Sequence, residues 1–465
     1  MTRRDVLKRS AGVAVLGAGA VPAGARAAKA RRKRERVAVI GAGAGGVAAA
    51  YFLAGSCDVD VFEARDRIGG HADSRVVTDG GHAVTVDLGA QFFHPATHPL
   101  YVALLAELGL DAQTHASPGS LCVFARGGGA PRFTSTRPLD TLPTSAAFAT
   151  FTQLARTAAT SLAWETTVPR WIAGLDLDAA FTRDVLSPWI ASLIGCSHAD
   201  AQHVSARSIL STFALAFPAD PAGGAMTYTS RIGLQGNLRQ ILRHAPAARV
   251  HLGAPARSLA RGRDGWILRT PSGSHGPYDH VVLNAPPRVS RRLLGPLKAY
   301  KDVTELVDAY TYFDSRLVIH RDPAYVAAAR ADWTAYNAEV DGAECEGSAW
   351  LGALHAPLPS GAPVGLFKSW ARRRHADPRA ILLQRRFQHP LIDRRALAAA
   401  RALRAHQGRG GLHFSGAYTT GSDLQETAVY SALKVAEAIA PRSATLTALR
   451  ARMTAAGLGD LSYDL

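Results

Sequence analysis

Residues 37–51, V-A-V-I-G-A-G-A-G-G-V-A-A-A-Y, decide how the rest of this 465-residue chain is read. Val37 to Ile40 are apolar and largely β-branched, as in a buried strand, and the alanines running into Tyr51, Phe52 and Leu53 suit a helix. Between them Gly41 makes a tight turn, Gly43 lets the backbone approach a pyrophosphate, and Gly46 lets the helix pack close to the strand. The helix N-terminus then presents unpaired N–H groups and its positive dipole end to the phosphates. A second strand, Val59 to Phe62, delivers Glu63 about twenty residues past the glycines, where a carboxylate binds ribose hydroxyls. A bare glycine pattern is equally compatible with an ordinary strand-to-helix turn. Its flanking strand, its helix and the placed acid together predict a dinucleotide site.

The residues that follow narrow the cofactor. Residues 63–71 read E-A-R-D-R-I-G-G-H and residues 86–93 read V-D-L-G-A-Q-F-F. Together these resemble the FAD-binding signature of the flavin amine oxidase and phytoene desaturase superfamily, in which a second glycine pair follows the acid and a G-A-Q segment lies near the flavin. The resemblance implies FAD contacts from Ala64, Arg65, Gly69, Gly70 and His71, and from Gly89, Ala90, Gln91 and Phe92. Further on, L-G-A-P-A-R-S-L resembles the segment whose backbone meets the adenine, at Ala256. The run Y-D-H-V-V-L-N-A-P-P resembles the strand that closes back on the nucleotide-binding sheet. Residues 412–438 resemble the superfamily's closing element, which implies that Gly416, Ala417, Gln425, Glu426 and Thr427 approach the isoalloxazine.

The order of these motifs predicts an α/β fold: a discontinuous Rossmann-like FAD-binding domain with an inserted α+β substrate domain. FAD-binding segments are expected over 37–110, 226–288 and 411–440, and substrate-domain segments over 111–225 and 289–410, with a C-terminal tail over 441–465. Apolar residues three and four apart, such as Phe148, Phe151 and Leu154 or Ile209, Phe213 and Phe217, make residues 144–217 helical. Trp164, Trp171 and Trp189 in that insertion are candidates to line a substrate cavity or to fill the core. Strands are expected at 316–320, 349–354 and 364–370, and a helix at 394–406.

Departures from the superfamily pattern carry information. Monoamine oxidases place an aromatic just before the closing helix, where this chain has Leu424. They tie flavin to a cysteine, and none lies beyond Cys345, so non-covalent FAD is expected. His71 stands where many members have a phosphate-contacting arginine, a charge that Arg65 or Arg67 could supply. Lysine is scarce outside the N-terminal region. Lys368 is therefore a candidate for the catalytic lysine that holds a water near flavin N5 in many amine oxidases. Alternation, however, places it on the strand face opposite Phe367, and this favours a solvated strand lysine over the catalytic one.

With 47% hydrophobic residues the chain suffices for two domains. The net charge is +16, and residues 1–36, with eleven Lys and Arg against Asp5 and Glu35, contribute +9 of it. No aromatic-interleaved basic patch suggests nucleic acid. Residues 1–28, with Arg3 and Arg4, a short apolar run and an A-x-A-type site near Ala27, resemble a twin-arginine export signal. A periplasmic or extracellular enzyme follows. The basic cluster 29–36 suits peripheral contact with an anionic membrane or a solvated N-terminus. Four scattered cysteines and seventeen dispersed histidines show no ligand spacing, so no metal is expected.

Three functions are compatible with these residues. The first is a flavin oxidoreductase moving a hydride from a substrate C–H to flavin N5, beside nitrogen or between carbons, with oxygen or another electron acceptor. The long apolar insertion and Leu424 favour a lipid-like or aromatic small molecule over a small amine. The second, a nicotinamide-dependent dehydrogenase, has no need of the R-x-G-G extension. The third is a non-catalytic flavin-binding protein.

Overall fold

The structure, a computed structural model, describes residues 34–219, 224–459 and 461–465. The expected export signal lies outside the described residues. Strand β1 (Arg36–Ile40) is the middle of a five-stranded parallel sheet in the order Leu412–Phe414, His280–Leu283, β1, β2 (Asp58–Phe62), Arg249–His251. Val39 stands opposite Val282 on one side and Val61 on the other. Successive side chains of a strand point to opposite faces, and both faces of this sheet are covered. Val37 and Val39 join one core, Ala38 and Ile40 another. This double coverage is why the strand reads as an unbroken apolar run.

On the first face lie α1 (Ala44–Leu53) and the closing helix Gln425–Ile439, with Val47, Phe52, Val429 and Leu433 in one core. The approach is close. A Cβ on Gly46 would lie 1.9 Å from the Gly41 carbonyl oxygen, and one on Gly45 would lie 2.4 Å from Asn284 Oδ1 and 2.9 Å from the Ala428 carbonyl. On the second face lie a three-stranded antiparallel sheet (258–278) and the helices Pro287–Leu294, Lys301–Asp308 and Arg394–Leu403. Trp266, Leu293, Val303 and Leu403 share their core with Ala38 and Leu283. Apart from the first two residues of Pro287–Leu294, these helices fall within residues 289–410, assigned from sequence to the substrate domain. They pack instead beneath the nucleotide-binding sheet, because their apolar faces cover its second side.

A seven-stranded mixed sheet forms the other half, in the order 381–390, 312–320, 367–370, 344–350, 336–341, 121–125, 133–134. Leu121–Ala125 pairs in parallel with Tyr336–Asp341, so the two substrate segments build one sheet. Helices from residues 144–213 cover it, burying Phe151, Trp171, Trp189 and Ile190 against Val123 and Val340. The strand expected at 349–354 ends at Trp350, where the chain enters a single 3₁₀ turn, Leu351–Ala353. No helix among the described residues is long and apolar enough to cross a membrane.

Candidate active site

A cavity of about 1290 Å³ runs from the glycine turn to the helical insertion. Gly41, Gly43, Glu63, Ala64, Arg65, Gly69, Gly70 and His71 line one end, with Ala256. Gly89, Ala90, Gln91 and Phe92 line it further in, facing Gly416, Ala417 and Gln425. Phe148, Trp189, Leu193, Phe213 and Phe217 form its apolar far wall. Trp171 and Trp164 do not line it. Trp171 fills the core, and Trp164 lies under the Arg207 guanidinium, 4.5 Å from the ring centre.

The turn is shaped by its neighbours. Gly41 has φ of +102°, and a Cβ there would meet the Asn284 carbonyl oxygen at 2.9 Å, so only glycine fits. Asn284 Nδ2 in turn donates to the Gly41 carbonyl at 3.2 Å. Glu63 accepts the Ala42 N–H through Oε2 (2.8 Å) and the Arg65 N–H through Oε1 (2.9 Å), tying the acid to both the glycine turn and the following loop. Arg65 Nη1 donates to the Gly70 carbonyl and stays on the cavity wall. Arg67 is engaged elsewhere, by buried Asp73 at 3.0 Å. Of the two arginines, Arg65 is the one available to a phosphate.

Two of the expected flavin contacts do not reach the cavity. Glu426 is fully buried, accepting the Leu100 and Tyr101 N–H groups (2.9 and 2.7 Å) and the Tyr463 hydroxyl (2.7 Å). Thr427 turns back to the carbonyls of Ser422 and Leu424. A helix advances about 100° per residue, so Gln425 and Ala428 face the cavity while the two between them face inward. Gly46 also stays off the cavity, in the strand–helix contact expected of it.

Lys368 is not a solvated strand residue. It is buried on the cavity wall, and Phe367 on the opposite strand face is buried too, because this sheet is covered on both sides. Its ammonium donates to the Gly89 carbonyl. Burial lowers its pKa to about 8, against an opposing pull from Asp87. Behind the strand, His320 Nδ1 accepts the Asp322 N–H (3.1 Å), which leaves Nε2 to donate to Ser369 Oγ (2.7 Å). Ser369 then donates to Ser348 Oγ (2.7 Å). This network fixes the strand that carries Lys368.

One residue unmarked by any motif, His389, completes the site together with His71 and Asp423 of the quoted motifs. The His71 ring lies 4.5 Å from that of His389, and burial pushes its pKa down. His389 stacks on Phe313 at 5.4 Å, with Nδ1 3.4 Å from Asp423 Oδ2. His389 belongs to the strand Ile381–Pro390, whose arginines disguise it as a surface segment. The cavity residues also fit a flavin. The N-terminus of α1 opens onto the cavity without a side-chain cap, and the buried Gln91 amide has no partner among the described residues. None of the four cysteines lines the cavity.

A profile of flavin containing amine oxidoreductases matches residues 44–319. The chain belongs to this family. Its structure is similar to cyclohexylamine oxidase from Brevibacterium oxydans (18% identity, 88% of this chain and 99% of that one, TM-score 0.61). It is similar also to a putrescine oxidase with putrescine bound (17%, 88% and 99%, 0.60). A third neighbour is the CLA-producing fatty acid isomerase from P. acnes (15%, 86% and 98%, 0.61). At these identities the likeness is one of fold. No curated protein matches the chain in sequence. As a flavin amine oxidoreductase, the protein is an enzyme that uses FAD to act on a small molecule.

Proposed function

We propose that this amine oxidoreductase removes a hydride from a C–H bond of an apolar small molecule, with non-covalently bound FAD supplying the two-electron acceptor at N5. The observation that carries this reading is the single cavity that joins the glycine turn to an aromatic wall. Pockets for one drug-sized ligand occupy about 300–1,000 Å³, and this cavity is larger than that range and extends from the glycine turn past the expected ring-system residues to the aromatic wall. Gly41, Gly43 and the N-terminus of α1 would hold the pyrophosphate, Glu63 the ribose, Arg65 a phosphate charge, and Ala256 the adenine. Gly89 to Phe92, Gly416, Ala417 and Gln425 would hold the ring system. Lys368, with its lowered proton affinity, holds a water or a proton beside Gly89. Phe148, Trp189, Phe213 and Phe217 orient the apolar body of the substrate and exclude water.

Leu424, in place of an aromatic, weighs against small amines. A neighbour named for a fatty acid supports the second reading, desaturation or dehydrogenation of a lipid-like substrate. Anaerobic screening of amines, amino acids and unsaturated lipids for bleaching of the bound flavin, followed by admission of oxygen, tests both. Amine-dependent bleaching with peroxide supports an oxidase, and lipid-dependent bleaching without it supports a desaturase or dehydrogenase. Absence of bleaching by every donor would refute the catalytic reading. We also propose that residues 1–28 direct export by the twin-arginine route, which suits an enzyme that takes up its cofactor before crossing a membrane.

A further inference from the structure

Only two carboxylates stand on the cavity wall among the described residues, Glu63 and Asp423. Both oxygens of Glu63 are engaged by backbone N–H groups. Asp423 differs. His389 Nδ1 reaches Oδ2 at 3.4 Å, no described protein group bonds Oδ1, and the side chain keeps 31% of its surface accessible. Asp423 immediately precedes Leu424 and Gln425, which line the same wall, and Gln425 Nε2 donates to the Phe92 carbonyl (2.9 Å). His71 in the same group is tied to the flavin segment, its carbonyl accepting the Ala90 N–H at 3.0 Å.

We propose that Asp423 is the base that accepts the substrate's proton, and that His389 is its positioning residue. The assignment rests on the hydride-transfer reading above. When a C–H bond breaks with its electron pair passing to the flavin, a neutral double-bonded product requires a second hydrogen to leave the neighbouring nitrogen, oxygen or carbon. That hydrogen leaves as a proton to Asp423 Oδ1, and the electrons of its broken bond form the new π bond. The groups facing the carboxylate are His71 from the glycine-pair loop, His389 from the strand 381–390 and Tyr312 from the strand 312–320. Burial pushes the carboxyl up, but the His389 bond and the nearby imidazoles outweigh it and hold it below its ordinary value. Asp423 is therefore ionised at neutral pH and free to take a proton.

The test uses the FAD-loaded enzyme and whichever amine or unsaturated lipid bleaches its flavin in the anaerobic screen. Asp423→Asn should retain FAD and bind that donor within about threefold, while flavin reduction slows by about 10²–10⁴-fold. The flavin midpoint potential, measured by dithionite titration without any donor, should rise as the negative charge is removed. His389→Phe should move the pH midpoint of the reduction rate upward, a change that a merely structural role would not produce. A wild-type reduction rate in Asp423→Asn would overturn the assignment while leaving the hydride-transfer reading intact. Failure of every donor to reduce the wild-type flavin would remove both. A stoichiometric metal found by elemental analysis of the wild type and lost in His71→Ala would overturn the base assignment, making His71, His389 and Asp423 a metal centre.

Discussion

Lys368 reaches out of the seven-stranded sheet to donate to the carbonyl of Gly89, 279 residues earlier in the chain. One hydrogen bond thereby joins the substrate half of the molecule to the turn that precedes Gln91. An ammonium in this place also has its proton affinity lowered by burial, to about 8.

Replacing Lys368 with Met keeps the length of the side chain and removes the charge. The variant should stay yellow, and anaerobic reduction of its flavin should slow by about 10²-fold or more. Reduction at the wild-type rate in stopped-flow absorbance would deny Lys368 any part in the chemistry.

Tyr463→Phe should lower stability by about 1–3 kcal/mol, since it strips one donor from a buried carboxylate. The pH dependence has a definite sign. Burial raises Glu426 in the folded protein from its ordinary 4.5 to about 7. The stabilisation from the bound proton is therefore complete below 4.5 and is lost as pH rises through 7. The Tyr463 bond supports the ionised form, so the deficit should be largest above pH 7 and shrink toward pH 5. Denaturant midpoints at pH 5 and pH 8 measure it, and equal deficits would contradict this account.

His320 should contribute to acid lability. Burial lowers its pKa from 6.5 to about 4, so its contribution is present above 6.5 and is lost as pH falls through 4. A second proton would have to sit on Nδ1, against the Asp322 N–H. His320→Asn supplies a non-titrating acceptor for that N–H. The variant should be less stable than wild type at pH 7, yet lose less stability between pH 7 and pH 5. Parallel pH profiles for the two proteins would argue against the titration.

Replacing both Arg3 and Arg4 with Lys should hold the protein in the cytoplasm if the export proposal is right. Fractionation of producing cells reads the outcome, and unchanged export would remove that proposal.

The nucleotide half was the more legible in sequence, because its constraints are local. Gly46 and Glu63 answer steric or hydrogen-bonding demands from residues close by, and Gly41 needs its positive φ for the turn itself, although the carbonyl that also bars a side chain there belongs to the distant Asn284. Long-range packing hid the rest. Alternation correctly set Lys368 opposite Phe367, but a period of two cannot show that both faces of the strand are buried. A closing-helix motif cannot say which of three consecutive residues turn inward, and Glu426 was claimed by Leu100, Tyr101 and Tyr463. His389 and Asp423 lie on a strand and a loop that meet only in the folded chain, so no spacing announces them.

The sheet order has a consequence for synthesis. The strand at Arg36–Ile40 leaves the ribosome early, whereas the edge strand Leu412–Phe414 and the helix from Gln425 emerge hundreds of residues later. Until then His280–Leu283 has a bare parallel edge, and the alanine-rich face of α1 has nothing to cover it. Such non-local pairing is slow and exposes apolar surface to aggregation. Ribosome-stalled chains ending near residue 410 should accordingly remain protease-sensitive with FAD present, whereas chains whose tunnel-free portion extends past residue 445 should gain protection. The nucleotide fold is thus closed by the last elements to be synthesised, and its first strand and helix wait for them.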